Sequence, residues 1–65
     1  MEEFEKVIEG LRRIKRKNPE WRLGQMVFNI ADWGFPGRDV FYLSDEEFVA
    51  LSHKYTDNLD DINNL

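Results

Sequence analysis

Apolar positions at Phe4, Val7, Ile8, Leu11 and Ile14 recur at i, i+3, i+4, i+7 and i+10. This spacing predicts a first helix over about residues 2–17 with those side chains on one face. A second stripe, Leu23, Met26, Val27, Ile30 and Ala31, predicts a central helix over about residues 19–33. Asn18 is its expected N-cap, Pro19 suits the first helical position, and Glu20 lies near the positive end of the dipole. Gly34 is expected to close it in the left-handed region, and Trp21 to lean from its first turn over the joint with the first helix. Phe28 points away from that stripe and, with Trp33, forms either a second buried face or an exposed anchor.

Phe35-Pro36-Gly37-Arg38 has the residues of a type II turn. Val40-Phe41-Tyr42-Leu43 has no second run to pair with, so it is expected as a short extended linker laid across the core. Ser44-Asp45-Glu46-Glu47 is a capping box, and Leu43 and Phe48 supply its hydrophobic staple. A third helix over about residues 45–55 follows, with Phe48, Leu51, Ser52 and Tyr55 inward and Val49 at the edge. The tail, residues 56–65, is rich in Asn and Asp and is expected to be weakly ordered, though Leu59, Ile62 and Leu65 leave room for a fourth helical turn. The fold expected is therefore all-α, a compact three-helix mini-domain. Gly24 is expected to mark a close approach of a neighbouring backbone or ring.

With 65 residues and no cysteine, one core must hold the chain, and nine aromatic residues supply much of it. No apolar run reaches the roughly 18–20 residues of a membrane span, and the acidic start is unlike a signal peptide, so a cytoplasmic protein away from the membrane is expected. Net charge is −4, but Arg12, Arg13, Lys15, Arg16, Lys17 and Arg22 are six of the nine basic residues. The molecule is thus electrically polarised. The basic cluster complements the dipole at the end of the first helix. It is also the natural docking patch for another protein, with Arg12, Arg13, Arg16, Lys17, Trp21 and Arg22 as the candidate partner-binding residues. Arg22 and Gln25 are placed to make an internal tie.

No catalytic, metal-ligating or cofactor-binding set is expected. Ser44 is committed to its cap, and Ser52 and His53 are adjacent on a helix and so diverge. A helix-turn-helix DNA reader is the alternative for three short helices, but the acidic start of the third helix repels phosphate. A homo-oligomer, simplest as a homodimer, is a further alternative, because a twin chain often completes so small a core.

The segments Asn18-Pro19-Glu20-Trp21-Arg22-Leu23-Gly24-Gln25 and Phe41-Tyr42-Leu43-Ser44-Asp45-Glu46-Glu47 resemble a set of very small uncharacterised proteins of bacteria and their phages. In these an N-P-[D/E]-x-R-L-G-Q segment precedes an F-Y-[I/L]-x-D-[D/E]-E segment. The resemblance spans about two-thirds of the chain in scattered pieces. It implies a compact helical domain, carries no catalytic residues over, and suggests a stoichiometric inhibitor of a host or defence protein.

Overall fold

The structure, a computed structural model, describes the backbone of residues 2–63 and the side chains of residues 2–57. Three helices, α1 (Glu3–Lys17), α2 (Leu23–Gly34) and α3 (Asp45–Asn63), are joined by a turn and by a loop holding a single 3-10 turn, Val40–Tyr42. The all-α three-helix domain is thus as expected, and no strand occurs among the described residues. The third helix runs past residue 55 to Asn63, while the order of the tail side chains and the Leu59/Ile62/Leu65 spacing lie outside the described residues.

Contacts along α1 and α3 advance in the same direction. Gly10 abuts Phe48 and Ser52, Arg13 reaches Ser52 and His53, and Asn18 reaches Tyr55. The two helices are therefore parallel. A parallel pair cannot be closed by a tight turn, and α2 with its flanking loops makes the crossover. Parallel packing also gathers both acidic first turns, Glu3 and Glu5 of α1 with Asp45, Glu46 and Glu47 of α3, at one pole. The basic last turn of α1, Lys15, Arg16 and Lys17, lies towards the other.

Ile14 and Ile30 are fully buried at the centre, with Met26, Ala31, Phe48 and Leu51 around them and Val7, Leu11, Trp21, Phe35, Leu43 and Tyr55 closing the periphery. The inward face of α1 is rotated from the one expected. Val7, Gly10, Leu11 and Ile14 face α3, whereas Phe4 and Ile8 are exposed. The close approach that sequence assigns to Gly24 belongs to Gly10 and Gly34. An ideal Cβ on Gly10 would lie 2.5 Å from Ser52 Oγ, and one on Gly34 would run into the Leu51 methyls, while Gly24 faces open space.

The entry to α2 also differs from expectation. Asn18 caps the end of α1: its backbone N–H and its side-chain amide both donate to Ile14 O, at 2.9 and 3.3 Å. A turn closed by Trp21 N–H to Asn18 O at 3.0 Å then takes up residues 18–21, so α2 begins at Leu23. Proline's restriction of the preceding residue ends α1, and the turn turns the Trp21 ring to Tyr55 (centroids 6.4 Å apart). The Arg22/Gln25 tie is local, Gln25 Oε1 accepting from Arg22 N–H at 2.7 Å. At the far end Gly34 is not left-handed, for Phe35 is the C-cap and Gly37 alone among the described residues has positive φ, +79°. That value and the Arg38 N–H to Phe35 O bond at 3.1 Å confirm the type II turn.

Candidate functional site

The run from Val40 to Leu43 is not extended and does not cross the core. The Asp39 carboxylate accepts from Phe41 N–H at 3.0 Å and winds Val40–Tyr42 into a 3-10 turn. Val40 and Leu43 turn inward, which leaves Phe41 82% and Tyr42 68% exposed, their rings edge-on at 5.1 Å. Two consecutive rings held between two caps cannot both face a core. That was the signal in the sequence, and reading the run as a linker missed it.

The turn is braced from below. Arg38 donates from Nη1 to Glu47 Oε2 at 2.9 Å and from Nη2 to Glu47 Oε1 at 2.8 Å, and Nη2 also donates to Tyr42 O at 3.0 Å. Its guanidinium carbon stands 4.6 Å from the Phe35 ring centroid. Glu47 completes the expected capping box, accepting from Ser44 N–H at 2.9 Å while its own N–H donates to Ser44 Oγ at 3.1 Å. The hydrogen bonds from Arg38 first, then the one from the Ser44 backbone, hold the Glu47 carboxyl down at about 2 against an ordinary 4.5. The same pairing raises Arg38. One bidentate ion pair thus ties the loop to the first turn of α3.

Beside this ridge lies a groove of about 140 Å³ lined by Val7, Leu11, Val27, Val40, Leu43 and Phe48, with Ser44 and Asp45 also on its wall. An apolar cavity of that size accommodates one benzene-sized group. Leu23, one turn before Val27 on α2, is 62% exposed, and Phe4 precedes Val7 by one turn on α1 and is also exposed. Phe28, left open by the sequence, is an outward residue, 58% exposed.

The basic end is divided among different tasks. Arg13 turns towards α3, its Nη2 3.4 Å from both Ser52 Oγ and His53 Nδ1, and its Nε is buried without a hydrogen-bond partner. Trp21 is half-buried against Tyr55, and Lys15 Nζ donates to its carbonyl. Arg12 is exposed and 3.6 Å from Glu9. Arg16 is exposed and, with Arg13, Lys17 and Thr56, lines an open cleft of about 290 Å³. Arg22 is exposed at the start of α2. Arg12 and Arg16 are one helical turn apart on the exposed side of α1, Arg13, Arg16 and Lys17 share the cleft, and Arg13 and Trp21 are also partly buried in the packing.

Ser52 Oγ donates to Val49 O at 2.8 Å and Thr56 Oγ1 to Ser52 O at 2.8 Å, so both buried hydroxyls are satisfied within α3. His53 is exposed. Among the described residues no three His, Cys, Asp or Glu side chains converge as metal ligands, and no helix is long and apolar enough to cross a membrane. The fold and surface define a helical mini-domain with a braced aromatic ridge over an apolar groove. No family model, curated protein or solved structure matches the chain.

Proposed function

We propose that the protein is a small protein–protein interaction module of the cytoplasm, and that the Phe41/Tyr42 ridge is its contact surface. The observation that carries this is the exposure of two adjacent rings on a turn fixed by Asp39, Arg38 and Glu47. Scattered surface apolar residues need no explanation, whereas a rigidly presented aromatic pair loses little entropy on binding and supplies hot-spot chemistry. Covering each ring is worth roughly 1.5–3 kcal/mol. The likeness of the 18–25 and 41–47 segments to small bacterial and phage proteins supports a narrower reading, a stoichiometric modulator of a host or defence protein.

The competing surface is the basic end, through Arg12, Arg16, Lys17 and Arg22, facing an acidic partner or nucleic acid. Self-association through the exposed rings competes as well. Affinity capture from the native host separates these readings, with wild type run beside Phe41→Ser/Tyr42→Ser and Arg12→Glu/Arg16→Glu. The expected result is a stoichiometric protein partner, retained by the arginine variant and lost from the aromatic variant at unchanged melting temperature. Retention by the aromatic variant, a nuclease-sensitive catch, or recovery of the chain alone overturns the proposal.

A further inference from the structure

The groove beside the ridge has a charge as well as a shape. Along the start of α1 Lys6 pairs with Glu3 at 3.8 Å and Arg12 with Glu9 at 3.6 Å, while residues 39–50 contain Asp39, Asp45, Glu46 and Glu47 and no cation at all. Arg38, the nearest cation in sequence, is spent on Glu47. Two helix N-termini contribute only about half a positive charge each, too little to cancel these carboxylates. Asp45 stands on the groove wall itself, and Glu46 follows it in the first turn of α3. An apolar slot for one large side chain is therefore set in an acidic surround.

We propose that this groove binds a cationic amphipathic helix of a second protein. One leucine- or phenylalanine-sized side chain of that helix enters between Val27 and Leu43, and its lysines or arginines face Asp45 and Glu46. The Phe41 and Tyr42 rings flank the same helix. At the 150–250 Å² typical of an aromatic side chain, their exposed fractions add roughly 200–400 Å² to the contact. A helix fits better than a strand because no sheet edge exists among the described residues for a strand to extend. A second copy of the chain is a poor match, since its cationic residues 12–17 carry the fully buried Ile14 and so offer no free apolar anchor on the same face. The proposal rests on the interaction-module reading and gives that reading its partner chemistry.

The test titrates the full chain with a synthetic helix of about 18 residues, leucines at i, i+3, i+4 and i+7 and lysines elsewhere, following amide NMR shifts at two salt concentrations. Controls are the same peptide with glutamate for lysine and with alanine for leucine. Shifts are expected at Val7, Val27, Leu43 and Asp45 with the leucine/lysine peptide alone. Binding should weaken roughly tenfold or more in Val27→Trp, which fills the slot, and several-fold in Phe41→Ser and in Asp45→Asn/Glu46→Gln. The last two change exposed side chains and keep the test valid if Val27→Trp misfolds. Absent shifts, equal binding of the alanine or glutamate peptide, or concentration-dependent self-association through the groove would overturn the proposal. If the peptide fails while capture from the host still depends on Phe41 and Tyr42, the groove assignment falls and the ridge stands.

Discussion

Arg38 grips Glu47 through both of its terminal nitrogens, at 2.9 and 2.8 Å, across the eight residues that separate the two, and so ties the end of the Pro36-Gly37 bend to the first turn of α3. The pair links two caps, since Glu47 also closes the box with Ser44 and Arg38 also holds the Tyr42 carbonyl. Because the folded carboxyl sits near 2 and its ordinary value is 4.5, the pairing stabilises fully above pH 4.5 and is lost as pH falls towards 2. Glu47→Gln should melt below wild type at pH 7, and the gap should close between pH 4.5 and 2. Because the pair is exposed to solvent, salt should shrink the gap at neutral pH. A gap that persists at pH 2 would assign the effect to the lost capping geometry instead.

The three glycines of the helices should respond with opposite signs. At Gly10 a methyl would meet Ser52 Cβ at 2.9 Å, an atom fixed to its backbone, so α1 and α3 must separate for it to fit. Gly10→Ala should cost about 1–3 kcal/mol. Gly34→Ala meets the mobile Leu51 methyls and also Leu51 Cγ at 2.9 Å, so it too should destabilise. Gly24→Ala enters open space, and its only effect is the better helix propensity, a gain of about 0.5–1 kcal/mol. Thermal melts of the three variants check this, a 1 kcal/mol change being worth about 4–8 °C in a domain of this size.

Local chemistry was legible in the sequence and interhelical geometry was not. The Ser44 box, the Leu43/Phe48 staple and the Pro36-Gly37 turn are interactions between residues at most five apart, and each forms as its residues dictate. Which side of α1 is buried depends on a partner some forty residues away. Phe4 and Ile8 fit the helical period as well as Gly10 does, and only the close approach of Ser52 selects the glycine face. The position of α2 is likewise decided by Trp21, whose packing on Tyr55 competes successfully with the Asn18-Pro19 start signal. Of the candidate basic surface, Arg12 and Arg16 are outward as a solvated helix face implies. Arg13 is drawn in because α1 and α3 run parallel, a relation that periodicity does not encode.

That difference between neighbouring arginines is measurable. Arg13 lies partly buried between α1 and α3 with Ser52 and His53 as its contacts, so reversing its charge forces a carboxylate into the joint. Arg13→Glu should lower the melting temperature most, whereas Arg12→Glu and Arg16→Glu, both on exposed side chains, should cost only the helix-dipole and i,i+3 pair contributions, about 0.3–1 kcal/mol. Equal melting of all three would mean that the Arg13 contacts contribute nothing.

Tyr55 joins the three segments that meet at the basic end. Trp33 stands edge-on to its ring at 5.5 Å, Trp21 lies tilted at 6.4 Å, and its hydroxyl accepts from the Asn18 side-chain amide at 3.2 Å. Tyr55→Phe removes only the hydrogen bond and should cost about 0.5–1.5 kcal/mol. Tyr55→Ala withdraws the surface on which both indoles rest and should cost about 3–5 kcal/mol, a large share of the stability available to so short a chain. Tryptophan fluorescence separates the two variants below their transitions. Emission should stay at the wild-type wavelength in Tyr55→Phe and move to the red in Tyr55→Ala, because Trp33 is already exposed and removing the Tyr55 ring opens the half-buried face of Trp21 to water.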